Sequence, residues 1–292
     1  MSARAVRRRR RRDGTVVPRR TRIATGAFLY PPFVILAAII VYPIAWMAYS
    51  AFKPNDDIFA DVFALPHSLY TTNFTTVFGS GGLDRFFLNS VLVTTCSVAG
   101  LLLLSALAAY AFATFTFPGR NALYLFVLIG LMVPPQALIV SGFKWMSILH
   151  LLDSYWALIF TYFGWVSFGI LVLRDFFLGV PRELKEAARI DGAGHWQLFT
   201  RVMLPLARPS IATVAIFYFV WVWNEFIYPL IYMQDQHHYT LPLGIMYLNG
   251  QYTVEWGLQM AALTVATAIP VIVYYVFQRH FVRGMLSGAL KG

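Results

Sequence analysis

Glu186-Ala187-Ala188 and Asp191-Gly192-Ala193 stand close together, separated only by Arg189-Ile190, and are followed by Leu204-Pro205 and Pro209. Their chemistry suits docking rather than catalysis. Alanines let another surface come close, while Glu186 and Arg189 can pair with its charges. A solvated loop would account for the same residues. A second group is Trp221, Asn224, Glu225 and Tyr228. Glu225 is an acid inside an apolar run, and an ionisable group there is a functional candidate by default. It also falls near the predicted outer end, where it could reach water or pair across a subunit interface. Trp221, Asn224 and Tyr228 follow i+3 and i+4 spacing, so an unbroken helix would carry them on one face. Aromatic faces with an amide and a hydroxyl can hold a sugar, although an aromatic belt at a membrane surface explains the same residues. Pro134-Pro135 could free carbonyls to line such a path, or simply kink a helix. His237-His238 is the remaining candidate. Adjacent histidines do not face one way on a regular element and no third ligand is evident, so no metal is expected. No catalytic residue and no G-x-x-x-x-G-K-[ST] phosphate loop is found.

The elements that must position these residues are set by hydropathy. Only 12% of residues are charged, about half the share in soluble domains. Uncharged runs cover 23–52, 86–119, 121–143, 154–173 and 256–278, and a further run from Pro209 toward Met233 is broken only by Glu225. Each can cross a hydrocarbon core, which takes about 20 helical residues. Six helical spans follow, because lipid offers backbone groups no partner. All lysines and arginines except Lys53, Arg85 and Lys144 then fall on the side of the two termini. By the positive-inside rule both termini are cytoplasmic. The expectation is an all-α membrane protein with six transmembrane helices. Residues 1–22 form a basic cytoplasmic arm, and residues 23–292 form the membrane domain. The net charge of +10 comes largely from that arm, and arginines beside a first span are topology and lipid-headgroup signals, so no nucleic-acid partner is expected. Cys96, the one cysteine, is expected as a small buried apolar residue.

Ten charged residues lie from Arg174 to Arg208. Each would cost about 2.5–3.5 kcal/mol at a bilayer centre, so the loop at about 178–208 is cytoplasmic. Pro181 suits a first helical position and Glu183 the first turn. Leu184, Ala187 and Ala188 give one small apolar face, and Gly192 ends the helix as a left-handed residue. Trp196, Phe199 and Met203 predict a second apolar stripe, which Pro205 should stop.

The Glu186–Ala188 and Asp191–Ala193 pattern, with Leu204-Pro205-Leu206 and Pro209, resembles the EAA motif of binding-protein-dependent ABC importer permeases. Asn89-Ser90, Val133-Pro134-Pro135-Gln136, Trp223-Asn224-Glu225-Phe226 and Gly288-Ala289-Leu290-Lys291-Gly292 resemble their maltose-permease-like carbohydrate branch. The second proline of Pro134-Pro135 departs from that pattern. The resemblance implies a type I ABC importer permease fold in a prokaryotic cell membrane. It implies a non-catalytic subunit that moves a sugar or oligosaccharide by alternating access. Implied partners are a second related permease subunit, two ATP-binding subunits that hold ATP and Mg, and an extracytoplasmic solute-binding protein. Glu186, Ala187, Ala188, Arg189, Asp191, Gly192, Ala193, Trp196 and Phe199 would couple to the ATPase. The substrate pathway would use Trp221, Asn224, Glu225, Tyr228 and Pro134. The external stretch 234–255 would reach toward the binding protein. Alternatives are an ATP-independent secondary transporter or channel subunit, for which buried charges or an inverted repeat would be expected, and a membrane scaffold.

Overall fold

The computed structural model describes residues 19–248 and 255–289, with side chains for 30–248 and 255–278. The chain divides after Tyr49 into two units. The first is essentially one helix, α1 (Arg19–Ser50), which runs unbroken through Pro31, Pro32 and Pro43. From Tyr30 to Ala45 its side chains are exposed and apolar, as a lipid-facing span requires.

The second unit is entirely helical among the described residues. Short helices α2 (Asp57–Ala60) and α3 (Thr72–Gly79) precede the 32-residue α4 (Leu83–Thr114). Next come α5 (Arg120–Ile129), a 3-10 turn at Pro135–Leu138 and α6 (Ile139–Ile148). α7 (Tyr155–Leu178) and α8 (Arg182–Ile190) follow. α9 (His195–Leu206) and α10 (Arg208–Trp223) form a pair bent by 76°. α11 (Ile227–Tyr232), α12 (Leu241–Tyr247) and α13 (Trp256–Ala289) complete the described chain.

Among the described residues four helices are long and apolar enough to cross a membrane, and a fifth if α9–α10 counts as one bent span. The third expected run is not a single helix. Val133 and Pro134 each precede a proline, which disfavours the α region for them, although Tyr30 and Pro31 before Pro31-Pro32 stay helical within α1. Pro134 is accordingly extended (φ −64°, ψ 127°), and the run splits into α5 and α6, each about 15 Å long at 1.5 Å per residue. Pro134-Pro135 therefore makes a break and not a kink. The span expected from Pro209 to Tyr232 also stops, at Trp223. Pro205 does not end α9, which continues to Leu206 with a π-helical stretch at Leu198–Met203.

The core is held where α4, α7 and α10 meet. The Gly169 N–H donates to the Tyr218 hydroxyl at 2.8 Å, and Ser105 Oγ lies 3.1 Å from the same oxygen. A Cβ on Gly169 would collide with Ser105 Oγ, so glycine is what lets the helices approach closely. Tyr218 is fully buried, and it bonds further to the Val166 carbonyl at 3.1 Å. Ser105 of α4 is small enough to allow that approach. Cys96 is corrected: it lies exposed on an outer flank of α4.

Candidate functional site

Three sites rest on this frame. The first is the α8–α9 knob. α8 ends in a Schellman turn: Ala193 N–H donates to Ala188 O at 2.9 Å and Gly192 N–H to Arg189 O at 3.0 Å. This is the paired C″→C3 and C′→C2 pattern. Gly192 sits at φ +82°, the left-handed conformation expected of it. Gly194 N–H then donates to Gln197 Oε1 and starts α9.

α8 buries no residue completely. Leu184 is 47% exposed and Ile190 86% exposed. Ala187 is also exposed, so Leu184, Ala187 and Ile190 form an outward apolar flank, while Ala188 is half-buried against the core. Asp191 lies exposed at the end of that flank. Glu186 and Arg189 occupy the opposite flank, where with Arg182 and Lys185 they line a cavity of about 300 Å³ beside the end of α4. The expected stripe in α9 is only partly right. Phe199 and Met203 are buried, and the Phe199 ring lies 5.0 Å from that of Tyr110. Trp196 is 66% exposed and reaches Phe199 from outside. Its place at the start of α9 carries it outward, next to the exposed flank of the knob.

The second site is a cavity of about 470 Å³ at the two breaks. Trp221, Asn224 and Glu225 line it with Trp165, Ser167, Pro135 and Gln136. A neighbouring cavity of about 620 Å³ shares Gly130, Val133, Pro135 and Trp165, and adds Tyr228, Tyr232 and Trp145. The single helical face expected for Trp221, Asn224 and Tyr228 does not exist, because the helix stops between them. Asn224 Nδ2 donates to the Val220 carbonyl at 2.8 Å and closes α10. Glu225 Oε1 accepts the Ile227 and Tyr228 amides at 2.9 and 3.2 Å and opens α11. Glu225 thus caps a helix inside the molecule, where a carboxylate also favours the positive helix end. The buried Tyr228 donates its hydroxyl to the Pro135 carbonyl at 2.7 Å, tying one break to the other. Pro134 stands inside that break without lining either cavity. Trp165, Gln136 and Ser167 were missed, since only the two breaks bring them to Glu225.

The third site is on the side opposite the knob. Asn89 Nδ2 donates to the His237 and Tyr239 carbonyls at 2.8 and 2.9 Å, and its Oδ1 accepts from the Tyr155 hydroxyl. Ser90 Oγ accepts the Leu241 amide at 2.7 Å. Asp153 sits at φ 57°, and its Oδ1 accepts the Gln234 and Asp235 amides and lies 3.2 Å from His238 Nδ1. Burial opposes ionisation of Asp153, but those amides and His238 outweigh it and hold the carboxyl below its ordinary value. The histidines do face apart, for His237 contacts Arg85 instead. Yet the fold supplies what the sequence did not show, since ligand atoms of Asp153, Asp235 and His238 lie within 4.8 Å of one another. Asp153 Oδ1 is already occupied by loop amides, so the cluster works as a clamp on residues 234–238. Of the stretch 234–255, expected to be external, Asn249, Gln251 and Tyr252 lie outside the described residues.

A family model described as the binding-protein-dependent transport system inner membrane component matches residues 100–287. The chain belongs to this permease family. A probable ABC transporter permease protein of Bacillus subtilis is 37% identical over 254 residues, covering 87% of this chain and 84% of its own length. The diacetylchitobiose uptake system permease protein of Streptomyces coelicolor is 35% identical over 91% of this chain and 89% of its own. A chain of a bacterial ABC transporter that imports the acidic polysaccharide alginate superposes with TM-score 0.80 at 22% identity, covering 90% of this permease and 98% of that chain. The permease therefore has the type I importer fold and is a multi-pass membrane protein.

Proposed function

We propose that this permease is the sugar- or oligosaccharide-conducting subunit of an ATP-driven, binding-protein-dependent importer. It spans the membrane with six segments, two of them broken, and both termini and the knob lie in the cytoplasm. It works with a second permease subunit, two ATPase subunits that bind ATP and Mg, and an external solute-binding protein. One observation carries the coupling role: the exposed apolar flank of α8, presented by the Gly192 turn. An apolar flank of Leu184, Ala187 and Ile190 on a charged helix needs a partner surface, and an ATPase subunit that changes shape with ATP supplies one. The second permease and the binding protein would complete alternating access across the paired breaks. Sugar as cargo is supported by relatives such as the diacetylchitobiose permease and by a cavity lined with two tryptophans, two amides and a hydroxyl.

The test is reconstitution of the assembled importer in vesicles. Gly192→Pro and Ile190→Glu are expected to abolish uptake while ATP hydrolysis continues. Normal uptake by both would sink the coupling role. Binding of the cognate external protein to a panel of neutral oligosaccharides and glycerol-phosphate esters names the cargo.

A further inference from the structure

We infer that the cavity between α8 and the end of α4 is an anion site for a phosphate group, carried by an anionic lipid headgroup or by free phosphate. The inference rests on the reading that this side of the permease is cytoplasmic. Arg182, Lys185 and Arg189 recur at i, i+3 and i+7, so one flank of α8 carries all three, and all three line this cavity. That flank is opposite the Leu184–Ile190 flank assigned to the ATPase, so both can be occupied at once.

The charges are uncompensated. Among the described residues neither Arg182 nor Arg189 makes an ion pair or a side-chain hydrogen bond. Lys185 donates only to the Phe177 carbonyl, at 3.1 Å. Burial and the neighbouring Arg182 push its ammonium below its ordinary range. Glu186 is the one acid in the lining. The C-terminal end of α4 adds about half a negative charge, which leaves the cavity net positive. Thr114 and Ala113, from the end of α4, close the other side of the cavity. The volume of about 300 Å³ matches the small end of ligand pockets. Basic pockets at the cytoplasmic ends of membrane helices suit anionic headgroups, and arginine grips phosphate through paired N–H groups.

The assembled importer is purified in nanodiscs of phosphatidylcholine with or without phosphatidylglycerol, and retained lipid is read by native mass spectrometry. In phosphatidylcholine alone, inorganic phosphate is added and the unfolding temperature is read. An Arg182→Gln/Lys185→Gln double variant should hold the anion about tenfold more weakly or worse. An Arg182→Lys/Lys185→Arg variant, which keeps the charge, should retain most of the binding. Retention of phosphatidylglycerol that the double variant loses identifies a lipid. Stabilisation by inorganic phosphate that it loses identifies a free anion. Equal behaviour of wild type and double variant in both arms overturns the site. Co-elution of the ATPase subunit, read on the same samples, reports the coupling role separately.

Discussion

Single residues decide how the knob and the core are held. Gly192 adopts φ +82° with nothing within 4 Å of where a Cβ would stand. Gly192→Ala should therefore cost about 1–2 kcal/mol from backbone conformation alone, read as earlier loss of α8 helicity in hydrogen exchange. Gly169 is the opposite case, since there the space is already taken by Ser105 and Tyr218. Gly169→Ala should cost about 1–3 kcal/mol by overpacking, measured as a lower unfolding temperature of the purified permease. The first glycine was legible from its place after a charged helix. The second was not, because its partners come from helices more than forty residues away.

At the scale of elements, the stretch 234–241 is clamped by Asp153, Asn89 and Ser90. Asp153→Ala should loosen it by about 1 kcal/mol. Because the folded carboxyl titrates below its ordinary value of 3.8, its ionic contribution is complete above that value and fades as pH falls through the lowered one. The difference in unfolding temperature between Asp153→Ala and wild type should hold steady from neutrality to about pH 5 and shrink below about pH 3. The helices themselves were largely legible, since uncharged length set α1, α4, α7 and α13. The two broken segments were only half legible. Consecutive prolines mark the first break, but Pro31-Pro32 lie inside unbroken α1, so the pair alone did not tell a break from a tolerated proline. Nothing in Trp223-Asn224-Glu225-Phe226 announced the second, because side chains of Asn224 and Glu225 close one helix and open the next at an otherwise apolar site. That is why the substrate face drawn through Trp221 and Tyr228 had no helix beneath it. The cavity residues Trp165 and Gln136 were illegible for the same reason.

For the molecule as a whole, the apolar flank of the knob sets what it must assemble with. Ile190→Glu should weaken association with the ATPase subunit by about 2 kcal/mol, roughly thirtyfold, measured by co-purification at fixed salt. Binding of the external protein should be unaffected. The residues that resemble the family are runs of adjacent positions, so the family was easier to read than an interior path assembled from distant helices.

The 76° bend between α9 and α10 has a mechanical meaning. α10 has 16 residues, about 24 Å of rigid rod, and it starts at the knob and ends beside Glu225. A tilt of roughly 10° at the elbow would swing that far tip by about 4 Å over such a length. Two rigid arms joined in this way would act as a bell crank: a small push on one would become a sideways stroke at the cavity, with no deformation of either.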